Sequence, residues 1–241
     1  MSSLIGRFSS AIISENNRGF AAVIPDIKCI SPKEGDLLHG RSPVDTAKYL
    51  VNCGAPALSV VTEGERFGGS TQLLLDITQN TDVPVLRKDF ITNEAQISET
   101  VELGAAAILL ICAITDEKNL SMLYEKSLEL GLEPFVEVCT VKEMELAKKL
   151  GARLIGINNR DIVTLERDNG GPSRTAALAS EAPNGALLVS ESGILSPDDA
   201  KLAVSVGANA VLVGTALWQA RDMAAMYQSL RVERRAAPCN R

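Results

Sequence analysis

Short, almost continuously apolar runs alternate along the chain with longer stretches whose apolar residues recur at helical spacing. One pattern occurs four times: Gly54-Ala55-Pro56-Ala57-Leu58-Ser59-Val60, Gly104-Ala105-Ala106-Ala107-Ile108-Leu109-Leu110, Gly151-Ala152-Arg153-Leu154-Ile155-Gly156-Ile157 and Gly207-Ala208-Asn209-Ala210-Val211-Leu212-Val213. Each copy opens on a glycine suited to ending a helix and passes straight into buried-strand sequence. The copies lie roughly 50 residues apart, about two βα units when one βαβ unit needs ~30 residues or more. A further strand is therefore expected between copies. Pro84-Val85-Leu86 leads to Arg87-Lys88-Asp89, Pro134-Phe135-Val136 to Glu137-Val138, and Ala186-Leu187-Leu188-Val189 to Ser190-Glu191-Ser192. Ahead of the first copy, Phe20-Ala21-Ala22-Val23-Ile24 leads to Asp26-Ile27-Lys28, which makes eight strands.

The intervening stretches carry helix ends. Thr140-Val141-Lys142-Glu143 has the spacing of a capping box, with Met144, Ala147 and Leu150 on one face and Gly151 as the stop. Ser196-Pro197-Asp198-Asp199 supplies an N-cap, a first-turn proline and two acids at the positive helix end. Eight βα units with apolar strands favour a closed parallel barrel of the α/β class. A doubly wound open sheet is the alternative, but no Gly-x-Gly-x-x-Gly follows the first strand. The whole of residues 1–241 is expected to form one domain, with the barrel over about 19–230 and a frayed basic tail over 231–241.

In such barrels the active site lies at the C-terminal mouth, built from strand ends and the loops after them. Those positions hold Asp26, Lys28, Glu63, Lys88, Asp89, Glu137, Asn158, Asn159, Arg160, Glu191, Ser192, Gly214 and Thr215. One charged residue at a strand end is more simply a surface ion pair. Acids and amines at so many ends, each beside apolar strand sequence, point to a shared pocket, because buried charge is rare unless paired or functional. Gly193 follows strand seven and Gly214-Thr215 follows strand eight, the usual phosphate position in this architecture. Ser31 offers a hydroxyl from the first strand's loop.

Composition narrows the ligand. A net charge of −6 with only 4% aromatics argues against nucleic acid or an anionic membrane as the main partner. The five cysteines, among them Cys29, Cys112 and Cys239, contain no Cys-x-x-Cys pair, and the single histidine, His39, cannot complete a zinc site. Reduced thiols and the lack of a signal-type or membrane-spanning apolar run lead us to expect a soluble, cytoplasmic protein.

Several strand ends together resemble the indole-3-glycerol phosphate synthase family. They are Asp26-Ile27-Lys28-Cys29-Ile30-Ser31-Pro32, Phe67-Gly68-Gly69-Ser70, Arg87-Lys88-Asp89-Phe90, Val136-Glu137-Val138, Gly156-Ile157-Asn158-Asn159-Arg160-Asp161 and Glu191-Ser192-Gly193-Ile194. The resemblance runs from about Arg7 to about Gln219 and implies a single (β/α)8 TIM barrel with a shortened N-terminal extension. It implies a carboxy-lyase of tryptophan and indole biosynthesis that closes, decarboxylates and dehydrates 1-(o-carboxyphenylamino)-1-deoxyribulose 5-phosphate. By the same resemblance Lys88 is the acid at the ketose carbonyl, Lys28 pairs with the substrate carboxylate, and Glu137 shuttles a proton in dehydration. The division of acid and base duty between Lys28 and Lys88 stays open. Asp26 and Glu191 orient the lysines and Asn158 the intermediate, while Arg160 supports neighbouring carboxylates. Ser31, Ser192, Gly193, Gly214 and Thr215 hold the phosphate, and Phe67 and Phe90 line the aromatic end. No metal or organic cofactor is implied, and the assembly expected is a monomer or weak homodimer.

The chain departs from the family pattern at Asp26, where the family has glutamate, at Lys33, where Ser-Pro-Ser is usual, and over Asp168-Asn169-Gly170-Gly171-Pro172. The aspartate carboxylate is withdrawn by roughly 1.5 Å, one C–C bond. With an unshifted strand, Asp26→Glu should then improve activity on the family's substrate. Alternatives to the synthase reading are a paralogue acting on a substituted anthranilate and a non-catalytic phosphosugar-binding barrel. Phosphoribosylanthranilate isomerase chemistry fits less well, since it leaves the lysine–glutamate series unexplained.

Overall fold

The computed structural model describes residues 6–160 and 171–234. Eight strands close on themselves: β1 (Ala22–Ile27), β2 (Leu58–Val61), β3 (Val85–Lys88), β4 (Ala107–Ile111), β5 (Glu133–Val138), β6 (Leu154–Asn158), β7 (Leu187–Glu191) and β8 (Ala210–Val213). All pairings among them are parallel, and β1 pairs with both β2 and β8. Helices lie between successive strands: α2 (Pro43–Asn52), α3 (Thr71–Asn80), α4 (Glu94–Glu102), α5 (Glu117–Glu129), α6 (Val141–Lys149), α7 (Ser173–Leu178) and α8 (Pro197–Ser205). The expected (β/α)8 TIM barrel is the fold found.

Successive side chains on a strand point to opposite faces, so each strand divides its residues between the barrel interior and the helix layer. Ile24, Leu86, Ala107, Leu109, Phe135, Leu154, Val189, Ala210 and Leu212 pack together inside the barrel. Their outward neighbours Val23, Val60, Val85, Val136, Ile155 and Val211 pack beneath the helices. The inward series Ile24-x-Asp26, Leu86-x-Lys88, Phe135-x-Glu137, Leu154-x-Gly156-x-Asn158 and Val189-x-Glu191 therefore carries polar groups into the top of the interior. The apolar layers below keep water out from underneath.

The four repeated glycines end α2, α4, α6 and α8. Gly54, Gly104, Gly151 and Gly207 all have positive φ, and the N–H of each following alanine bonds back five residues, as from Ala55 to the Leu50 carbonyl at 3.1 Å. That bond pattern needs a left-handed residue, which glycine supplies without strain. At the other ends, Thr140 accepts from the Glu143 N–H, while the Glu143 carboxylate reaches back to the Cys139 N–H rather than to the N-cap itself. Ser196 and Asp199 form the complete reciprocal box.

Both ends of the described chain are tied into the barrel. Ahead of the expected barrel start, α1 (Arg7–Asn17) closes the N-terminal mouth. Its Phe8 and Ile12 are fully buried among the interior residues, with the Phe8 ring edge-on to Phe135 at 6.5 Å. Because Gly6 brings no capping side chain, Glu133 at the start of β5 accepts from the N–H groups of Phe8 at 2.6 Å and Ser9 at 3.0 Å. At the other terminus, residues 231–234 are not frayed. The Val232 carbonyl accepts from Ala21 N–H at 2.9 Å, Arg234 N–H donates to Gly19, and Arg231 binds Glu15 at 3.1 Å while stacking on Phe20. Residues 235–241, including Cys239, lie outside the described residues, as does Asp161. Of the stretch 168–172 only Gly171 and Pro172 are described, and Pro172 leads into the short α7 (Ser173–Leu178) with no side-chain cap.

Candidate active site

The open end of the barrel holds two adjoining compartments. Asp26, Lys28 and Lys88 line both and form the boundary between them. The first is walled by Val61, Phe67, Phe90, Leu109 and Ile111. Glu63 and Asp89 border it too, but its apolar walls suit an aromatic ring, and β4, which contributed no charged strand end, supplies two of them. The second is lined by Arg160, Ser192, Gly193, Ile194, Leu195, Leu212, Gly214 and Thr215.

Lys88 is the centre of the charge arrangement. Its Nζ lies 3.8 Å from Glu137 Oε2 and 3.6 Å from Glu191 Oε2, and both carboxylate side chains are fully buried. As carboxylates, neither accepts a hydrogen bond from the described residues, and the partner within reach of a protonated Glu191 is Glu137 itself. Unsatisfied buried oxygens are costly, and their concentration here marks a site prepared for a ligand rather than for stability. Burial raises the Glu191 carboxyl well above the ordinary carboxylate range, the Glu137 charge adds to the rise, and Lys88 opposes it. The strand register explains the convergence. Glu137 stands opposite Gly156, and Asn158 stands opposite Glu191. A methyl group at Gly156 would overlap Glu191 Oε1 and the Phe135 ring, so the glycine creates the space that the glutamate occupies.

Asn158 is fully buried, with Oδ1 accepting from the Arg160 N–H at 3.0 Å, while its Nδ2 has no partner among the described residues. It can therefore donate to a substrate. Lys28 Nζ sits 5.5 Å from the centre of the Phe67 ring, and the Arg66 guanidinium covers Phe90 at 5.4 Å. Ser31 is not brought into either compartment. It is buried in a two-residue antiparallel pairing, Ile30–Ser31 with Gly35–Asp36, and its Oγ accepts from Glu34 N–H at 3.3 Å.

Several supporting residues escaped the strand-end reading. Ser59, the register partner of Asp26, donates to Asp26 Oδ1 at 2.7 Å. Its inward phase on β2 was the available signal. Trp218 Nε1 donates to the Asp26 carbonyl at 2.9 Å, and Arg41 stacks on that indole at 5.1 Å. Asp89 and Glu63, strand-end acids that the sequence did mark, border the first compartment and also tie its framework together. Asp89 binds Thr62 at 2.6 Å and Arg87 at 3.2 Å, and Glu63 accepts from the Arg66 and Phe67 N–H groups. Burial, with Glu143 and Glu137 adding to it, pushes the Cys112 thiol up to about 12, so it is no nucleophile at neutral pH.

Known proteins carry the same sequence pattern across this framework. The family model described as indole-3-glycerol phosphate synthase matches residues 5–230. The chain is 44% identical over 206 residues to an indole-3-glycerol phosphate synthase of Pyrococcus furiosus, covering 86% of this chain and 90% of that one. It is 40% identical over 207 residues to the Pyrococcus abyssi protein of the same name, with the same coverage. A Streptococcus sanguinis indole-3-glycerol phosphate synthase is 39% identical over 212 residues, covering 88% of this chain and 82% of that one. With a match spanning every barrel strand and relatives aligned over most of both lengths, the chain belongs to the indole-3-glycerol phosphate synthase family.

Proposed function

We propose that this barrel converts 1-(o-carboxyphenylamino)-1-deoxyribulose 5-phosphate to indole-3-glycerol phosphate, carbon dioxide and water. The observation that carries the reading is the Lys88 ammonium held within 4 Å of two buried carboxylates, at the boundary between an apolar slot and a glycine-rich compartment.

The aromatic ring occupies the slot beside Phe67 and Phe90, with its carboxylate paired to Lys28. The phosphate lies in the second compartment among Gly193, Gly214 and Thr215, with Ser192 and Arg160 beside it. The ring carbon bearing the carboxyl group attacks the ketose carbonyl, forming the new C–C bond as Lys88 gives a proton to the carbonyl oxygen. Carbon dioxide then leaves, and its bonding electrons restore the ring. The new hydroxyl departs as water after protonation, and loss of a proton completes the indole. Glu137 moves a proton in this last stage, Glu191 and Asp26 keep the lysines in place, and the Asn158 amide donor holds the intermediate. A positioned acid or base contributes typically ~10²–10⁴-fold, and the dry pocket strengthens each charge interaction.

Cys29, Cys53, Cys112 and Cys139 are free thiols, which supports the cytoplasmic reading. The function is tested by adding the anthranilate-derived ribulose phosphate to purified protein. The expected result is indole fluorescence rising together with carbon dioxide release.

A further inference from the structure

The second compartment is bordered by backbone in an uncommon conformation. Ser192 has φ 61° and Gly193 has φ 68°. Glycine tolerates this region, whereas a serine stays there only when its surroundings fix it. Among the described residues, Asn159 bonds the backbone on both sides of Ser192, and strand alternation turns it away from the pocket that Asn158 faces. Asn159 Nδ2 donates to the Glu191 carbonyl at 3.0 Å and the Ser192 carbonyl at 3.1 Å, the two carbonyls on either side of the Ser192 backbone angles. It also lies 2.9 Å from Ser190 Oγ, and the Asn159 N–H donates to the Glu191 carbonyl as well.

The other end of the amide is equally committed. Oδ1 accepts from the N–H and the hydroxyl of Thr175, both at 3.0 Å. The orientation of the amide is fixed by chemistry, because the Thr175 N–H can only donate and the two backbone carbonyls can only accept. Asn159 is 4% exposed, so water does not compete for these bonds.

We propose that Asn159 is a positioning residue for the phosphate end of the substrate, acting by holding Ser192–Gly193 in the left-handed conformation that borders the second compartment. The inference rests on the functional reading above. The Glu191 side chain has contacts of its own outside this brace, the room at Gly156 and the Lys88 ammonium at 3.6 Å. Loss of the brace should accordingly weaken phosphate binding more than it slows the chemistry.

Asn159→Asp tests this. One carboxylate oxygen keeps the Thr175 bonds, while the other faces the Glu191 and Ser192 carbonyls with no hydrogen to offer. Titration of the full chain with inorganic phosphate should show affinity weakened about tenfold, the scale of one lost net hydrogen bond. The KM for the phosphorylated substrate should rise in parallel, with kcat within about threefold of the parent. Thr175→Val removes the hydroxyl contact but leaves both carbonyl bonds, so it should lower the melting temperature without changing phosphate affinity. If the aspartate variant does not fold, Asn159→Ala removes the same donors without repulsion and is read in the same way. Unchanged phosphate affinity in a folded Asn159 variant, or a fall in kcat with KM unmoved, overturns the proposal. A parent protein that makes no indole but shows this phosphate pattern would sink the synthase reading and leave the inference standing. A parent that makes indole while the variant binds phosphate normally would sink the inference alone.

Discussion

Ser59 and Asp26 face each other across the β1–β2 register, and the Ser59 hydroxyl donates to Asp26 Oδ1 at 2.7 Å inside the buried top layer of the barrel. The bond fixes a carboxylate one methylene shorter than the family's glutamate, at the boundary shared by the two compartments. The bond favours the alternative to a gain for Asp26→Glu, in which glutamate crowds a site already fitted to aspartate. A glutamate would carry its carboxylate beyond the Ser59 hydroxyl into the boundary that Asp26 shares with Lys28 and Lys88. With ~1 Å of misplacement worth ~10²-fold at a catalytic site, Asp26→Glu should lower kcat/KM by roughly tenfold to a hundredfold. Ser59→Ala should lower it about tenfold, consistent with one buried hydrogen bond. Steady-state kinetics of both variants check this, and a gain for Asp26→Glu would show that the serine does not set the carboxylate's position.

Gly156 makes room for catalysis rather than for a turn. Gly156→Ala introduces a methyl group where Glu191 Oε1 and the Phe135 ring already lie. Overpacking of this kind typically costs about 1–3 kcal/mol. The variant should be destabilised by that amount in urea unfolding and should lose most of its turnover as Glu191 is displaced. Parent-like kinetics would mean that Glu191 has another position from which it works equally well.

The pH dependence of stability follows from Glu191. Its folded carboxyl is raised by burial first and by Glu137 second. A raised acid stabilises the fold fully below its unfolded value of about 4.3, and that contribution disappears as pH rises through the folded value. Glu191→Gln removes the charging step. The variant should therefore match the parent near pH 4 and become the more stable of the two as pH rises, by up to about 1.4 kcal/mol per pH unit within the titration window. Melting curves across pH decide it, and a difference that shrinks as pH rises would contradict the assignment.

The barrel was legible because the four glycine-led repeats are a backbone requirement written in sequence: a left-handed residue after each helix, then a strand. Lys28, Lys88, Gly193 and Gly214 were equally visible, since strand ends alone define that mouth. Positions set by tertiary register were not. Nothing local marks Ser59 as the partner of Asp26, Gly156 as the space for Glu191, or Asn159 as a brace turned outward, although the inward phase of each strand carried the signal for the first two. Nor was the local pairing of Ser31 with Gly35 legible, in which the Ser31 hydroxyl accepts from the Glu34 N–H. The closure by α1 depended on Glu133, more than a hundred residues away, capping a helix that has no capping residue of its own.

The central claim is that Lys88, held beside Glu137 and Glu191, drives ring closure as the acid at the ketose carbonyl. Single-turnover fluorescence on chelator-treated parent and Lys88→Ala proteins tests it most directly, with substrate binding measured on the same samples. The parent should form indole-3-glycerol phosphate with matching carbon dioxide release. Lys88→Ala should bind the substrate within a few-fold of the parent and turn it over ~10²–10⁴ times more slowly, because the ammonium is needed mainly as charge develops. A Lys88→Ala protein that closes the ring at the parent's rate, or a parent that binds the substrate and forms no indole, would contradict the account.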